Sequence, residues 1–143
     1  VAIIKGEMLG LQQPNRDGNG SGNSAVNAYK QNNLNINSQI KLVEMLYEGI
    51  LRFNIQAIES IEKGDIENRV YWINRSASIF SELINALDLE QDGTIAEYLQ
   101  GLYQHQLKLL TDANAENRAD LLEEVNSVVK GLLDAWRESN GAE

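Results

Sequence analysis

From about Ser38 onward, apolar residues recur three and four positions apart, the spacing of one face of an α-helix. Val43, Leu46, Ile50, Phe53, Ala57 and Ile61 form the first such stripe. The pattern predicts a helix from Ser38, whose hydroxyl suits an N-cap, to Lys63, with Gly64 as the stop. A second helix starts near Asp65, whose carboxylate favours a helix N-terminus, and runs to about Leu89. Its stripe of Ile66, Val70, Ile73, Ala77, Phe80, Ile84 and Leu87 is close to a heptad. A turn at Gln91, Asp92 and Gly93 leads to Thr94 as cap of a third helix, which carries Ile95, Leu99, Leu102 and Leu109 and fades near Asn114. The fourth carries Leu121, Val125, Val128, Leu132 and Trp136 and ends at Ser139, Asn140 and Gly141. Connections this short place successive helices side by side and antiparallel. The fold class read from the pattern is all-α, an antiparallel up-down four-helix bundle.

Ahead of the bundle the pattern changes. Val26 to Ile36 is rich in Asn, whose side chains compete with the backbone for hydrogen bonds, and reads as an irregular N-terminal arm or at most a short fifth helix. Pro14 to Ser24 is a run of Gly, Ser and Asn that cannot bury apolar area to offset its ordering entropy. Residues 1–25 are thus expected to form a flexible extension and linker, a candidate fused or foreign peptide, and residues 26–143 the helical bundle.

The composition narrows the chemistry. The chain has 143 residues and 43% hydrophobic positions, one proline and no cysteine, so disulfides, thiolate metal sites and a Cys nucleophile are absent. A net charge of -9, with 12 Lys and Arg against 21 Asp and Glu, argues against nucleic-acid binding and against a polybasic membrane contact. No run reaches the roughly 18 apolar residues of a membrane span, and Lys5 and Glu7 break the start of any secretory signal. A di-iron site in such a bundle would use Glu-x-x-His pairs. The lone histidine, His105, has Leu102 three residues before it. No nucleophile elbow, phosphate loop or Ser/His/Asp set is present. The reading is of a protein without catalytic, cofactor or metal residues.

What remains is an excess of apolar surface. A bundle helix needs one stripe toward the core, yet the first helix carries a second: Ile40, Tyr47, Leu51, Ile55 and Ile58, widened by Leu42 and Met45. Trp72, Ile79, Leu83 and Ala86 accompany the second helix, Tyr98, Tyr103, Leu107 and Leu110 the third, and Leu122, Val129 and Leu133 the fourth. Four helices bury only so much among themselves, and surplus of this extent marks a binding surface suited to amphipathic helices. Physical reasoning alone leaves two readings, a bundle that binds a partner peptide and a bundle that associates with itself in a structural or regulatory role.

The ordered text separates them. Leu42 to Phe53 (LVEMLYEGILRF) resembles the opening helix of the FliS family of flagellar export chaperones. The lead-in Asn27 to Asn32, the stretch Ile79 to Asn114 and the closing Leu132 to Trp136 resemble further parts of that family, in order, from Val26 to about Glu138. The resemblance implies a non-enzymatic helical bundle that binds the disordered C-terminal segment of flagellin in the cytoplasm, prevents its early polymerisation and helps deliver it to the type III export apparatus. An export-gate protein and a co-chaperone are further candidate partners. It also implies that the arm bearing Tyr29 lies over the apolar surface in the free protein. Candidate partner-binding residues are Val26, Tyr29, Leu34, Ile36, Leu42, Met45, Tyr47, Leu51, Ile55, Trp72, Ile79, Leu83, Tyr98 and Tyr103.

Overall fold

The computed structural model describes residues 24–141, with side chains described from Asn35 onward. Its elements are four helices, α1 (Ser24–Lys63), α2 (Ile66–Ala86), α3 (Leu89–Glu116) and α4 (Ala119–Ser139). They form a ring in which α1 packs against α2 and α4, and α3 closes it against the same two. The bundle is all-α and up-down, as the apolar pattern predicts.

Each connection has two residues, and their chemistry explains why the chain reverses there. Gly64 adopts φ 72°, a conformation costly for a residue with a Cβ. Its N–H donates to the Ile61 carbonyl at 3.1 Å while the Asp65 N–H donates to that of Ser60 at 2.8 Å, satisfying the last carbonyls of α1. Asp65 then caps α2, its carboxylate accepting from the Asn68 N–H at 3.1 Å. That hydrogen bond, with a second from the Asn68 side chain, holds the Asp65 carboxyl below its ordinary range. Asp88 caps α3 in the same way, accepting from the Gln91 N–H at 3.1 Å. Asn117, at φ 56°, ends α3, with the Arg118 N–H on the Ala113 carbonyl at 3.0 Å.

Two boundaries differ from the sequence expectation. Ser38 is no cap: α1 is continuous from Ser24, so the backbone expected to be an irregular arm is helical and in line with the rest. Once a helix is nucleated, adding a residue fixes few dihedrals per hydrogen bond gained, and the stable part from Ile40 onward extends through a segment of modest propensity. Thr94 is not the first residue of α3 either: a short helical stretch, Leu89 to Asp92, comes before it, and the two stretches meet at a kink at Gly93, whose φ is 44° and ψ -110°, so the longer stretch begins at Thr94.

The interior also runs along different stripes. In α1 the buried line is Val43, Tyr47, Ile50, Asn54, Ala57 and Ser60, so Leu46, Phe53 and Ile61 of the expected stripe lie to one side, half-buried. In α2 it is Ile73, Ser76, Phe80, Leu83 and Ala86, and Ile66 is exposed. In α3 it is Ala96, Leu99, Tyr103, Gln106, Leu110 and Ala113, with Ile95 exposed. In α4 the supposed surplus residues Leu122, Val129 and Leu133 are core, while Val128, Leu132 and Trp136 are half-buried.

Cross-helix polar contacts fix the register. Asn54 donates to the Asn126 side-chain oxygen at 2.8 Å, and Asn126 donates to the Leu51 carbonyl at 3.3 Å. The Trp136 indole N–H donates to the Ile40 carbonyl at 3.0 Å, and Arg137 pairs with Glu44 at 2.9 Å and Glu48 at 2.5 Å. All of these tie α4 to α1.

Gly101 and Gly131 lie inside helices, and a Cβ built on either meets nothing within 4 Å. Replacing each by Ala is expected to raise stability by about 0.5–1 kcal/mol, because the unfolded chain loses freedom that the helix does not need. Urea unfolding of the two single variants checks this.

Candidate partner-binding groove

The packing of α1 on α2 leaves an open groove on the outside of the bundle. Its walls are Leu42, Met45, Leu46, Gly49, Arg52 and Phe53 of α1 and Arg75, Ser78, Ile79 and Glu82 of α2, around a volume of about 530 Å³. Gly49 brings the walls together: a Cβ there would lie 3.0 Å from Ile79 Cδ1. At one end the groove passes into a smaller hollow of about 390 Å³ lined by Arg52, Phe53, Ile55, Gln56 and Trp72. The Phe53 and Trp72 rings stack with centroids 5.5 Å apart, and Tyr71 meets Trp72 edge-on at 4.8 Å. The result is an apolar trough with an aromatic end, of the kind that accepts the apolar face of a helix.

The sequence-derived candidates distribute unevenly over this surface. Leu42, Met45 and Ile79 line the groove, and Ile55 and Trp72 line the hollow. Met45 is 54% exposed and Ile55 49%. Tyr47, Leu83 and Tyr103 are each only 3% exposed and belong to the core. Leu51 is half-buried against the core beside α4. Tyr98 is the most open of the set at 67%, but it sits on α3 away from this groove. Ile36 is exposed on the first turns of α1. The side chains of Val26, Tyr29 and Leu34 lie outside the described residues. Their backbone continues α1 in line, so the segment does not fold back over the groove as the arm was expected to. Residues 1–23 lie outside the described residues as well. Seven groove residues were not among the candidates: Leu46 and Phe53, assigned to the core stripe, and Gly49, Arg52, Arg75, Ser78 and Glu82, which an apolar search does not sample.

Tyr47 and Tyr103 show why an aromatic residue with a polar tip need not face a partner. Their hydroxyls share a hydrogen bond of 2.6 Å inside the bundle, and Phe80 lies tilted against Tyr103 at 6.0 Å. Burial pushes the Tyr47 phenol up, partly offset by the Tyr103 hydroxyl, and pushes the Tyr103 phenol up further, reinforced by Tyr47. Tyr47→Phe or Tyr103→Phe alone leaves a buried hydroxyl unpaired, at about 1–3 kcal/mol, whereas the double variant removes both groups and is expected to be more stable than either single. Because both folded-state pKa values are raised, their stabilising effect is complete below the ordinary tyrosine pKa of about 10 and is lost as pH rises beyond it. Alkaline unfolding should therefore begin above about pH 10 and move to higher pH in the double Phe variant. Circular dichroism against pH reads both effects.

Among the described residues no group of three or more His, Cys, Asp or Glu side chains could hold a metal ion, and no helix is long and apolar enough to cross a membrane. His105 is exposed on α3. The described residues define a structural class, an all-helical bundle with an open groove between two of its helices.

The comparison with known proteins supplies the particular. A family model for the flagellar protein FliS matches residues 22–143. The chain is 54% identical over 121 residues to the flagellar secretion chaperone FliS of Campylobacter jejuni, covering 85% of this chain and 94% of the relative. It is 29% identical over 122 residues to that of Salmonella typhimurium, covering 80% and 89%. With the Bacillus subtilis protein of the same name it shares 30% over 112 residues, covering 78% and 83%. The chain belongs to the FliS family, a family of flagellar secretion chaperones and not of enzymes.

Proposed function

We propose that this chain is a cytoplasmic chaperone that binds the C-terminal segment of flagellin, keeps it from polymerising early and promotes its delivery to the flagellar type III export apparatus. The observation that carries the reading is the α1–α2 groove, which presents Leu42, Met45, Leu46, Phe53 and Ile79 and is open at Met45. A flagellin segment that folds on contact gains affinity by burying one apolar helical face there, and the ordering of that segment limits the affinity it reaches. An export-gate protein and a co-chaperone would engage other faces of the bundle, such as the exposed Ile95 and Tyr98 on α3.

Size-exclusion chromatography with light scattering tests the reading. A monomer that forms a one-to-one complex with a flagellin C-terminal peptide is the expected result. A stable dimer indifferent to the peptide would instead make the apolar surface a self-association face.

A further inference from the structure

The groove carries charge as well as apolar surface, and the charge is unusual for this protein. On a chain of net charge -9, two guanidinium groups flank one ring: Arg75 Cζ lies 4.7 Å from the Phe53 centroid and Arg52 Cζ 5.7 Å. Arg75 is oriented by a 3.1 Å hydrogen bond from Nη1 to the Tyr71 hydroxyl and by a second ring contact to Tyr71 at 5.6 Å. Neither arginine has a carboxylate partner among the described residues, whereas Arg118 and Arg137 each pair with two. An arginine stacked on an aromatic ring keeps its edge N–H groups directed outward for a planar acceptor.

The opposite sign stands farther along. Ile79 reaches Gly49, and Arg75 reaches Phe53. With α1 and α2 antiparallel, Glu82, three residues beyond Ile79, falls level with Leu46, three residues before Gly49. Leu46 and Phe53 are separated by two helical turns, roughly 10 Å at 1.5 Å per residue.

We infer that the groove selects a partner helix by charge as well as by apolar contact: Arg52 and Arg75 receive a carboxylate of the docked segment, and Glu82 receives a Lys or Arg about two turns away on the same face. The inference rests on the proposed function and specifies which helix of the partner seats in this groove and in which direction. The chain's own first residues do not fit the requirement. Lys5 and Glu7 are two positions apart, a spacing that sends side chains to different faces of a helix.

The test is calorimetric titration of the full chain with a flagellin C-terminal peptide. Arg52→Gln/Arg75→Gln should weaken binding by about tenfold or more, Arg52→Lys/Arg75→Lys should restore only part of it because lysine keeps the charge without the planar fork, and the loss should shrink at high salt. One Asp or Glu of the peptide, changed to its amide, should cost the unaltered chain the same factor and cost the Gln variant nothing further. Thermal unfolding of both variants should match the parent, since these side chains are exposed. Peptide binding that is unchanged in the Gln variant overturns the charge selection and leaves the flagellin reading standing. Binding that tightens overturns it by showing that the groove is held by an acidic segment of this chain. An unaltered chain that does not bind the peptide overturns the flagellin reading and this inference with it.

Discussion

Phe80→Ala is expected to cost about 3–5 kcal/mol of stability, through lost burial and the cavity left behind. Phe80 has no exposed surface and lies against Tyr103 on the neighbouring helix. Core neighbours on several helices, Ile50, Leu83 and Leu99 among them, belong to the same cluster. A small cavity at the meeting point of several helices does not collapse readily, because each wall is held by contacts elsewhere. Single domains of this size have about 5–15 kcal/mol in total, so the change removes a large share and should lower the melting temperature by roughly 10–20 °C. Urea denaturation should show a lower midpoint with an unchanged slope. A variant within 1 kcal/mol of the parent would mean that the α2–α3 interface is not packed as described.

The second large effect concerns binding without stability. Met45 of α1 and Ser78 of α2 both line the groove, and both are exposed. Met45→Glu/Ser78→Glu adds two carboxylates to the trough without disturbing the core, and exposed substitutions of this kind usually change stability by no more than about 0.5 kcal/mol each. A docked helix would have to cover both charges, which costs several kcal/mol where they stay unpaired, and the Ser78→Glu carboxylate, three residues from Arg75, would compete with the partner for that guanidinium. Peptide affinity is therefore expected to fall by about 30-fold or more, with the melting temperature nearly unchanged. Isothermal titration paired with a thermal melt separates the two quantities. Retained affinity would place the partner on another face of the bundle.

The four helices and the first turn were legible because their signals are local, while the second connection falls at Leu87 and Asp88, ahead of the turn expected at Gln91 to Gly93. Gly64 and Asp65 act through their own backbone geometry and the nearest N–H and carbonyl groups, so neighbours in sequence suffice to read them. Which side of each helix faces inward was not legible. Every helix has two apolar stripes about 100° apart, and a search for apolar positions ranks them equally. The interior accepts Asn54, Ser76 and Gln106, residues that such a search discards. It also accepts Tyr47 and Tyr103 because each hydroxyl finds the other, 56 residues away in sequence. Choosing the wrong stripe in α1 moved the candidate surface toward α4, onto Leu51, and placed Leu46 and Phe53 in the core. The arginines were hidden for a different reason. Arg52 and Arg75 are 23 positions apart and become a pair only when α1 and α2 fold against each other around Phe53. The continuity of α1 through its Asn-rich first turns reflects elongation from a nucleus downstream, which residue propensities do not report.

The central claim is that the α1–α2 groove is where this chaperone holds its partner. Hydrogen exchange on the full chain, with and without a flagellin C-terminal peptide, tests it directly, because backbone protection reports which segments a ligand covers or steadies. The account predicts that added protection on binding concentrates in Leu42–Gln56 of α1 and Trp72–Glu82 of α2, with little change in Leu121–Leu133 of α4. Protection confined to α3 and α4, with α1 and α2 unaffected, would contradict it.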